Sequence, residues 1–318
     1  MRSILYSLLF LLIPTVLFSQ TPVPASKIIY LDSLWKETSA DDYKYIRVIK
    51  DYYSEKNSYD FSDFYKSGTL QMAGTSANKD YLQKEGQFVY YYENGKKKST
   101  TTYVETKPTG KEYNWYENGN LKSEIEYLKD AKELSVNHKI NQYWNQDGEK
   151  KIIDGNGDYK NSDKLGFEEG LIKNGLRDGQ WKGSINNLKI TFIEIYKNGK
   201  FISGNSIDAN KTEYSYTLPE EKPQPEKGIQ HFYKHIGNNL NIPKEALLKR
   251  ISGKIYLTFV IDTDGKIIET KIIRGLGYGL DEEAVRVVNN YKNWIPGKIK
   301  GKKVRVSYAL PITVPTPN

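Results

Sequence analysis

Gly253-Lys254-Ile255-Tyr256-Leu257-Thr258-Phe259-Val260-Ile261-Asp262-Thr263-Asp264-Gly265-Lys266-Ile267 decides the fold of the C-terminal part of the chain. Ile255, Leu257, Phe259 and Ile261 alternate with Tyr256, Thr258 and Val260, the period-two pattern of a strand that is apolar on both faces. Asp262 to Gly265 supplies a hairpin loop ending in glycine, and Ile267 to Ile273 returns as the partner strand. Downstream, Leu280 to Tyr291 reads as a helix: Asp281, Glu282 and Glu283 fall in its first turn, where the helix dipole favours negative charge, and Leu280, Ala284, Val287, Val288 and Tyr291 form a buried stripe. Trp294-Ile295-Pro296-Gly297 breaks it, Lys298 to Lys303 is a basic turn, and Val304 to Val314 is a final long strand with Val304, Val306, Tyr308, Leu310 and Ile312 facing one way. Upstream, Ile229 to Leu240 reads as a helix with Phe232, Ile236 and Leu240 on one face, and Pro243 opens a short helical turn at Lys244 to Lys249.

The expectation is an α+β domain over residues 228–318, with a three-stranded antiparallel sheet and two helices. A linker is expected over residues 216–227, of which 217–227 are rich in proline and charge with a single apolar side chain, Leu218. Such a composition offers little burial to offset ordering, so a semi-rigid linker is expected there.

From residue 61 to 215 a degenerate unit recurs. An aromatic, two polar residues and a glycine stand at Tyr65-Lys66-Ser67-Gly68, Tyr92-Glu93-Asn94-Gly95, Tyr116-Glu117-Asn118-Gly119 and Tyr196-Lys197-Asn198-Gly199, with weaker copies at Trp144 to Gly148 and Ile172 to Gly175. Successive glycines lie 27, 24, 29, 27 and 24 residues apart, the mark of a repeat array. Asn-Gly and Ser-Gly suit two-residue hairpin turns. Between these turns lies a second marker, at Gly86-Gln87-Phe88, Gly110-Lys111-Glu112-Tyr113 and Gly179-Gln180-Trp181. A glycine-plus-aromatic hairpin array of this kind resembles the MORN-repeat group, in which stacked units bury their aromatics against neighbours. Residues 21–60 are a lead-in in which Ile28 to Trp35 and Tyr43 to Tyr53 could each form a strand or a short helix.

Met1-Arg2 followed by an apolar run from Ile4 to Phe18 reads as a secretory signal over residues 1–20, or as an inner-membrane anchor if it is retained. The absence of cysteine excludes disulfides, thiolate metal sites, Cys nucleophiles and a lipoprotein anchor. A net charge of +8 spread along the chain describes a solvated surface and carries no nucleic-acid stripe. His231 and His235, four apart, lack a third ligand at metal-site spacing; Asp154-x-Asn156-x-Asp158 imitates a calcium loop but has Tyr159 and Leu165 where glycine and glutamate belong. With three histidines in all and no Gly-x-Ser-x-Gly or phosphate loop, the chain is expected to be no enzyme and to need no cofactor, metal or small-molecule ligand.

Six blocks in the C-terminal segment occur in order: Ile242-Pro243-x-x-Ala246, Gly253 to Tyr256, Phe259 to Gly265, Leu280 to Ala284, Trp294-x-Pro296-Gly297 and Val304-Arg305-Val306. Residues 228–318 thereby resemble the C-terminal domain of TonB proteins. The resemblance implies a periplasmic domain that captures the TonB box, a short extended segment of a TonB-dependent outer-membrane transporter. In physical terms, a strand at a sheet edge shows unpaired N–H and C=O groups that an extended peptide can complete. The final strand is the candidate edge; the resemblance implies that Lys303, Val304, Arg305, Val306, Ser307, Tyr308, Ala309, Leu310 and Ile312 present it, with Asn239 and Asn241 near the contact zone. An anchored chain would also engage the ExbB–ExbD inner-membrane complex. Members that transmit force carry a histidine in the anchor and a long Pro-rich spacer; here the apolar run has no histidine and the Pro-rich stretch is short.

Overall fold

The structure, a computed structural model, describes residues 26–129 and 137–316. The signal expected at residues 1–20 lies outside the described residues, and among these no helix is long and apolar enough to cross a membrane. The chain falls into two compact units, Met1–Gly119 and Asn120–Asn318.

In the first unit, seven strands follow one another as an antiparallel meander: β1 (Lys27–Leu31), β2 (Tyr45–Ile49), β3 (Tyr59–Tyr65), β4 (Leu70–Ser76), β5 (Lys84–Tyr91), β6 (Lys97–Val104) and β7 (Lys107–Trp115). The sheet thus starts well before residue 61, because β1 and β2 pair with each other and β2 pairs with β3. Ile49, Tyr59, Phe61, Met72 and Phe88 form the buried cluster. At the tyrosine turns, the N–H of Gly68 and of Gly95 donates to the carbonyl of Tyr65 and of Tyr92, each 2.9 Å, and only the glycine takes a positive φ. That is a type I turn followed by a left-handed glycine, in place of the expected two-residue turn. The turns are also cross-tied: Tyr65 Oη donates to Tyr91 O and Tyr92 Oη to Trp115 O, both 2.8 Å, and Asn94 Nδ2 donates to Glu117 O at 2.9 Å.

The second unit continues the same pattern with β8 (Leu121–Tyr127), β9 (His138–Trp144), β10 (Lys150–Ile153), β11 (Asn156–Asp163), β12 (Gly166–Lys173), β13 (Leu176–Ile185), β14 (Ile190–Lys197), β15 (Lys200–Asp208) and β16 (Glu213–Tyr216). Here the two-residue turn does occur: Asn174-Gly175 and Asn198-Gly199 carry positive φ at both positions, as does Asp154-Gly155, the calcium-loop mimic, which closes β10 onto β11. An aromatic stack runs through the unit from Tyr143 by way of Tyr159, Trp181, Tyr196 and Phe201 to Tyr216, with centroid separations of 4.7 to 6.2 Å. Gly170 faces Trp181 across β12 and β13, so the indole lies over a backbone that has no Cβ.

The segment expected to be a spacer is instead held down. β17 (Glu220–Glu221) pairs with a strand at residues 297–299 and β18 (Gln224–Pro225) with one at 294–295. Its ordering is offset by partners 69 to 79 residues away, which local composition cannot reveal. The rest of the C-terminal domain comprises α1 (Ile229–Asn239), α2 (Lys244–Leu248), β19 (Gly253–Ile261), β20 (Ile267–Arg274), α3 (Leu280–Asn289), β21 (Trp294–Ile295), β22 (Gly297–Ile299), β23 (Lys302–Val304) and β24 (Val306–Val314). The mixed architecture expected is thus present: a hairpin array and an α+β domain whose three-stranded antiparallel sheet has the order β20-β19-β24. Phe232, Ile236, Phe259, Leu280, Val287 and Trp294 are among its core.

A methyl group at Gly170 would overlap the Trp181 ring, and the indole is itself pinned by donation from Nε1 to Leu171 O at 3.1 Å. Gly170→Ala is therefore expected to destabilise the protein by about 1–3 kcal/mol. Chemical denaturation measures it, and an unchanged midpoint would refute the stacking account.

Candidate functional site

β24 is the outer strand of its sheet and pairs with β19 over nine consecutive residues, from Ile261↔Val306 to Gly253↔Val314, without a register shift. Leu310, Ile312 and Val314 point into the core and Val306 and Tyr308 are half-buried, whereas Ser307, Ala309, Pro311 and Thr313 are exposed. Among the described residues, no strand pairs with the other side of β24. The opposite edge of the sheet differs. β20 meets β19 through two register shifts and carries Glu269 at φ 52°, so its backbone groups do not form an even row. Of the two edges, β24 is the regular one. Proline is tolerated in edge strands where its missing N–H faces solvent. Ser307 and Ala309 share the parity of Pro311, which makes them the expected outward donors.

Nine residues were expected to form this edge, and the structure divides them. Val306, Ser307, Tyr308, Ala309, Leu310 and Ile312 lie in β24; Lys303 and Val304 belong to β23, paired with β22; Arg305 sits at the break between the two strands. The chain has to change sheets at this point, so a single strand from Val304 to Val314 does not form. Arg305 reaches Glu269 Oε1 at 2.5 Å, which holds its guanidinium firmly charged, and approaches Asp262 Oδ1 at 3.7 Å. The Tyr308 ring stacks on Phe259 at 5.3 Å, and burial pushes its phenol up. Asn239 and Asn241 are tied to the helices: the Arg286 guanidinium donates to Asn239 O at 2.8 Å, and the Asn241 N–H donates to Glu283 Oε1 at 2.7 Å. His231 Nδ1 lies 3.0 Å from Tyr291 Oη, and His235 Nε2 3.2 Å from the carbonyl of Val287.

A second group of residues fixes where β24 begins, and nothing in the motif reading pointed to it. The β22–β23 hairpin inserts Lys300 against the end of the array. Its ammonium lies 2.5 Å from Glu194 Oε1 and 4.0 Å from the centroid of Phe192, while its carbonyl accepts from Ser206 Oγ at 2.7 Å. Glu194 is fully buried and also accepts from Tyr216 Oη at 2.9 Å and Tyr196 Oη at 3.0 Å. Burial pushes both phenols up and pulls the Lys300 ammonium down, the last against the attraction of Glu194. Lys302 adds an ion pair to Asp208 at 3.1 Å and donates to Leu188 O at 3.2 Å. A signal did exist: in Ile190-Thr191-Phe192-Ile193-Glu194-Ile195-Tyr196, the alternation places Glu194 on the inward face with Ile190, Phe192 and Tyr196.

Residues 238–313 match the family model described as Gram-negative bacterial TonB protein C-terminal. The match falls on the segment whose ordered blocks carry the resemblance, and that domain type supports a general role in the bacterial envelope. The array upstream is consistent with repeats. No curated protein matches the chain.

Burial works against the charge of Asp208, but hydrogen bonds from Lys302, Thr212, Tyr214 and Asn210 outweigh it and hold the carboxyl down to about 2, from 3.8. A depressed folded pKa gives stability that is present above the unfolded value and lost as pH falls through the folded one. Thermal melts are thus expected to weaken between about pH 4 and about pH 2, and Asp208→Asn to flatten that part of the profile. An identical profile for the variant would remove Asp208 from the docking contact.

Proposed function

We propose that this is a cell-envelope protein of the TonB type, a binding protein and not an enzyme, which captures an extended peptide of an outer-membrane transporter by strand addition along β24 and so takes part in transport. The observation that carries the reading is the unbroken nine-residue register of β24 with its outer side unpaired among the described residues. Backbone hydrogen bonds supply affinity in such a mode, and alternate side chains supply selectivity. The exposed Ser307, Ala309 and Thr313 are small, so an incoming strand meets no bulky obstacle on that face.

One observation favours a second reading, a non-energised scaffold in the periplasm. Residues 220–225, which would have to act as a spacer for a force-transmitting protein, are taken up by pairing with β21 and β22. Coupling to ExbB–ExbD also needs a retained membrane anchor at the N-terminus.

Titration calorimetry with peptides tiled over transporter N-terminal segments tests capture. Binding is expected with the wild-type chain and is expected to weaken about tenfold or more in Ala309→Pro, with circular dichroism unchanged. No binding at concentrations where a known TonB domain binds would end the capture reading. Mass spectrometry of the protein isolated from cells separates the two forms: an intact Met1 supports an anchored transducer, and a start near Gln20 or Thr21 supports the scaffold.

A further inference from the structure

A groove of about 690 Å³ lies at the start of β24. Its walls are the β13–β14 turn with Asn187 and Leu188, the strap Glu220–Pro223, Lys298 and Ile299 of β22, and residues 304–308. Successive residues of a strand point their side chains alternately to opposite sides. Val306, Ser307 and Tyr308 of β24 all line the groove, so it lies against the backbone edge of this stretch and not over one face of the sheet. Opposite stands another edge, since β17 is the outer strand of the three-stranded order β17-β22-β23.

The chemistry of the walls selects an occupant. Lys298 is paired with Glu221 at 3.2 Å and Arg305 with Glu269 at 2.5 Å, and the remaining charges of the wall, Glu220 and Lys222, are opposite in sign, so the groove carries no net excess of either charge. What remains toward the groove includes Ile185, Leu188, Pro223, Ile299, Val306 and Tyr308. An ionic ligand finds no uncompensated partner in those pairs, whereas an extended chain with aliphatic side chains finds both backbone edge and apolar wall.

We infer that the groove is the continuation of the β24 edge: a neutral, aliphatic peptide strand that pairs along β24 runs on past Val306 into the space between strap and array, where the β13–β14 turn contacts its side chains. This rests on the capture reading and adds to it that the repeat array contributes directly to peptide recognition. The docking of Lys300 and Lys302 is what brings the turn to this place, because Lys302 donates to Leu188 O.

Site-specific photo-crosslinking in the full chain tests the inference. A benzophenone side chain is placed at Asn187, on the groove wall, or at Ala309, on the edge; both positions are exposed, so the fold tolerates the probe. The ligands are biotinylated peptides tiled over transporter N-terminal segments, long enough to cover β24 and the groove. Crosslinks from both positions to the same peptide are expected, and Leu188→Asp is expected to weaken that peptide about tenfold. Crosslinks from Ala309 alone, with Leu188→Asp binding as wild type, overturn the groove while leaving edge capture intact. Crosslinks from Asn187 alone overturn the continuous path. Crosslinks from neither remove capture itself, and crosslinks between two copies of the chain show that the occupant is a second molecule of the protein and overturn the inference.

Discussion

The buried carboxylate of Glu194 is the constraint on which the end of the array and the start of the C-terminal domain both depend. An ion without solvent costs several kcal/mol unless its partners are close and well aligned. Glu194 has three: Lys300 Nζ, Tyr216 Oη and Tyr196 Oη. They come from β14, β16 and the β22–β23 hairpin, so the carboxylate is satisfied only when the domain is seated on the array. Undocking would strand it beneath the aromatic stack. The face of Phe192 completes the shell around the ammonium. Lys302 with Asp208 repeats the arrangement one pair further out, where the carboxylate is still buried but the ammonium is more exposed.

Docking explains why the Pro-rich segment is a strap. Glu220, Glu221, Gln224 and Pro225 each have a strand partner, and the Lys300 N–H donates to Pro219 O at 2.7 Å. With both flanks held in place, the chain between them loses less entropy on pairing than a free spacer would. Pro223 and the carbonyl of Glu221 close over Gly297, where any side chain would also collide with Val306. Proline and charge read as spacer only if the flanks are free, and here they are not.

What could be read from sequence follows from the range of the interactions involved. The alternation in residues 253–261, the acidic first turn of α3 and the glycines that close hairpins are local patterns, and each specifies its element unaided. The C-terminal sheet was legible for that reason, as was the edge position of the last strand. Turn type was less so. Tyr-x-Asn-Gly at Tyr92 folds with one left-handed residue and Asn198-Gly199 with two, a difference that goes with strand register: Tyr91 pairs with Lys97 across a longer loop, whereas Lys197 pairs with Lys200 across two residues. The break at Arg305 was hidden because Val304 and Val306 keep the same parity across it. Asn239 ends α1 and Asn241 follows it, but their hydrogen bonds to Arg286 and Glu283 of α3 are a matter of packing that no local pattern encodes.

A stack of hairpins has a structural problem at its ends, since the last strand shows an unpaired edge and a row of aromatics with nothing above them. β16 is that strand in the second unit, and Tyr216 is the last ring of the stack. The β22–β23 hairpin covers both: Gly301 lies against Tyr214 and Tyr216 so closely that no side chain would fit. The C-terminal domain thus serves as the terminal cap that repeat proteins require. Having spent its basic hairpin on the array, it keeps β24, the regular one of its sheet's two edges, unpaired on the outer side among the described residues. Capping and edge presentation follow from one contact, because the strand that leaves the cap at Val304 re-enters as β24 at Val306.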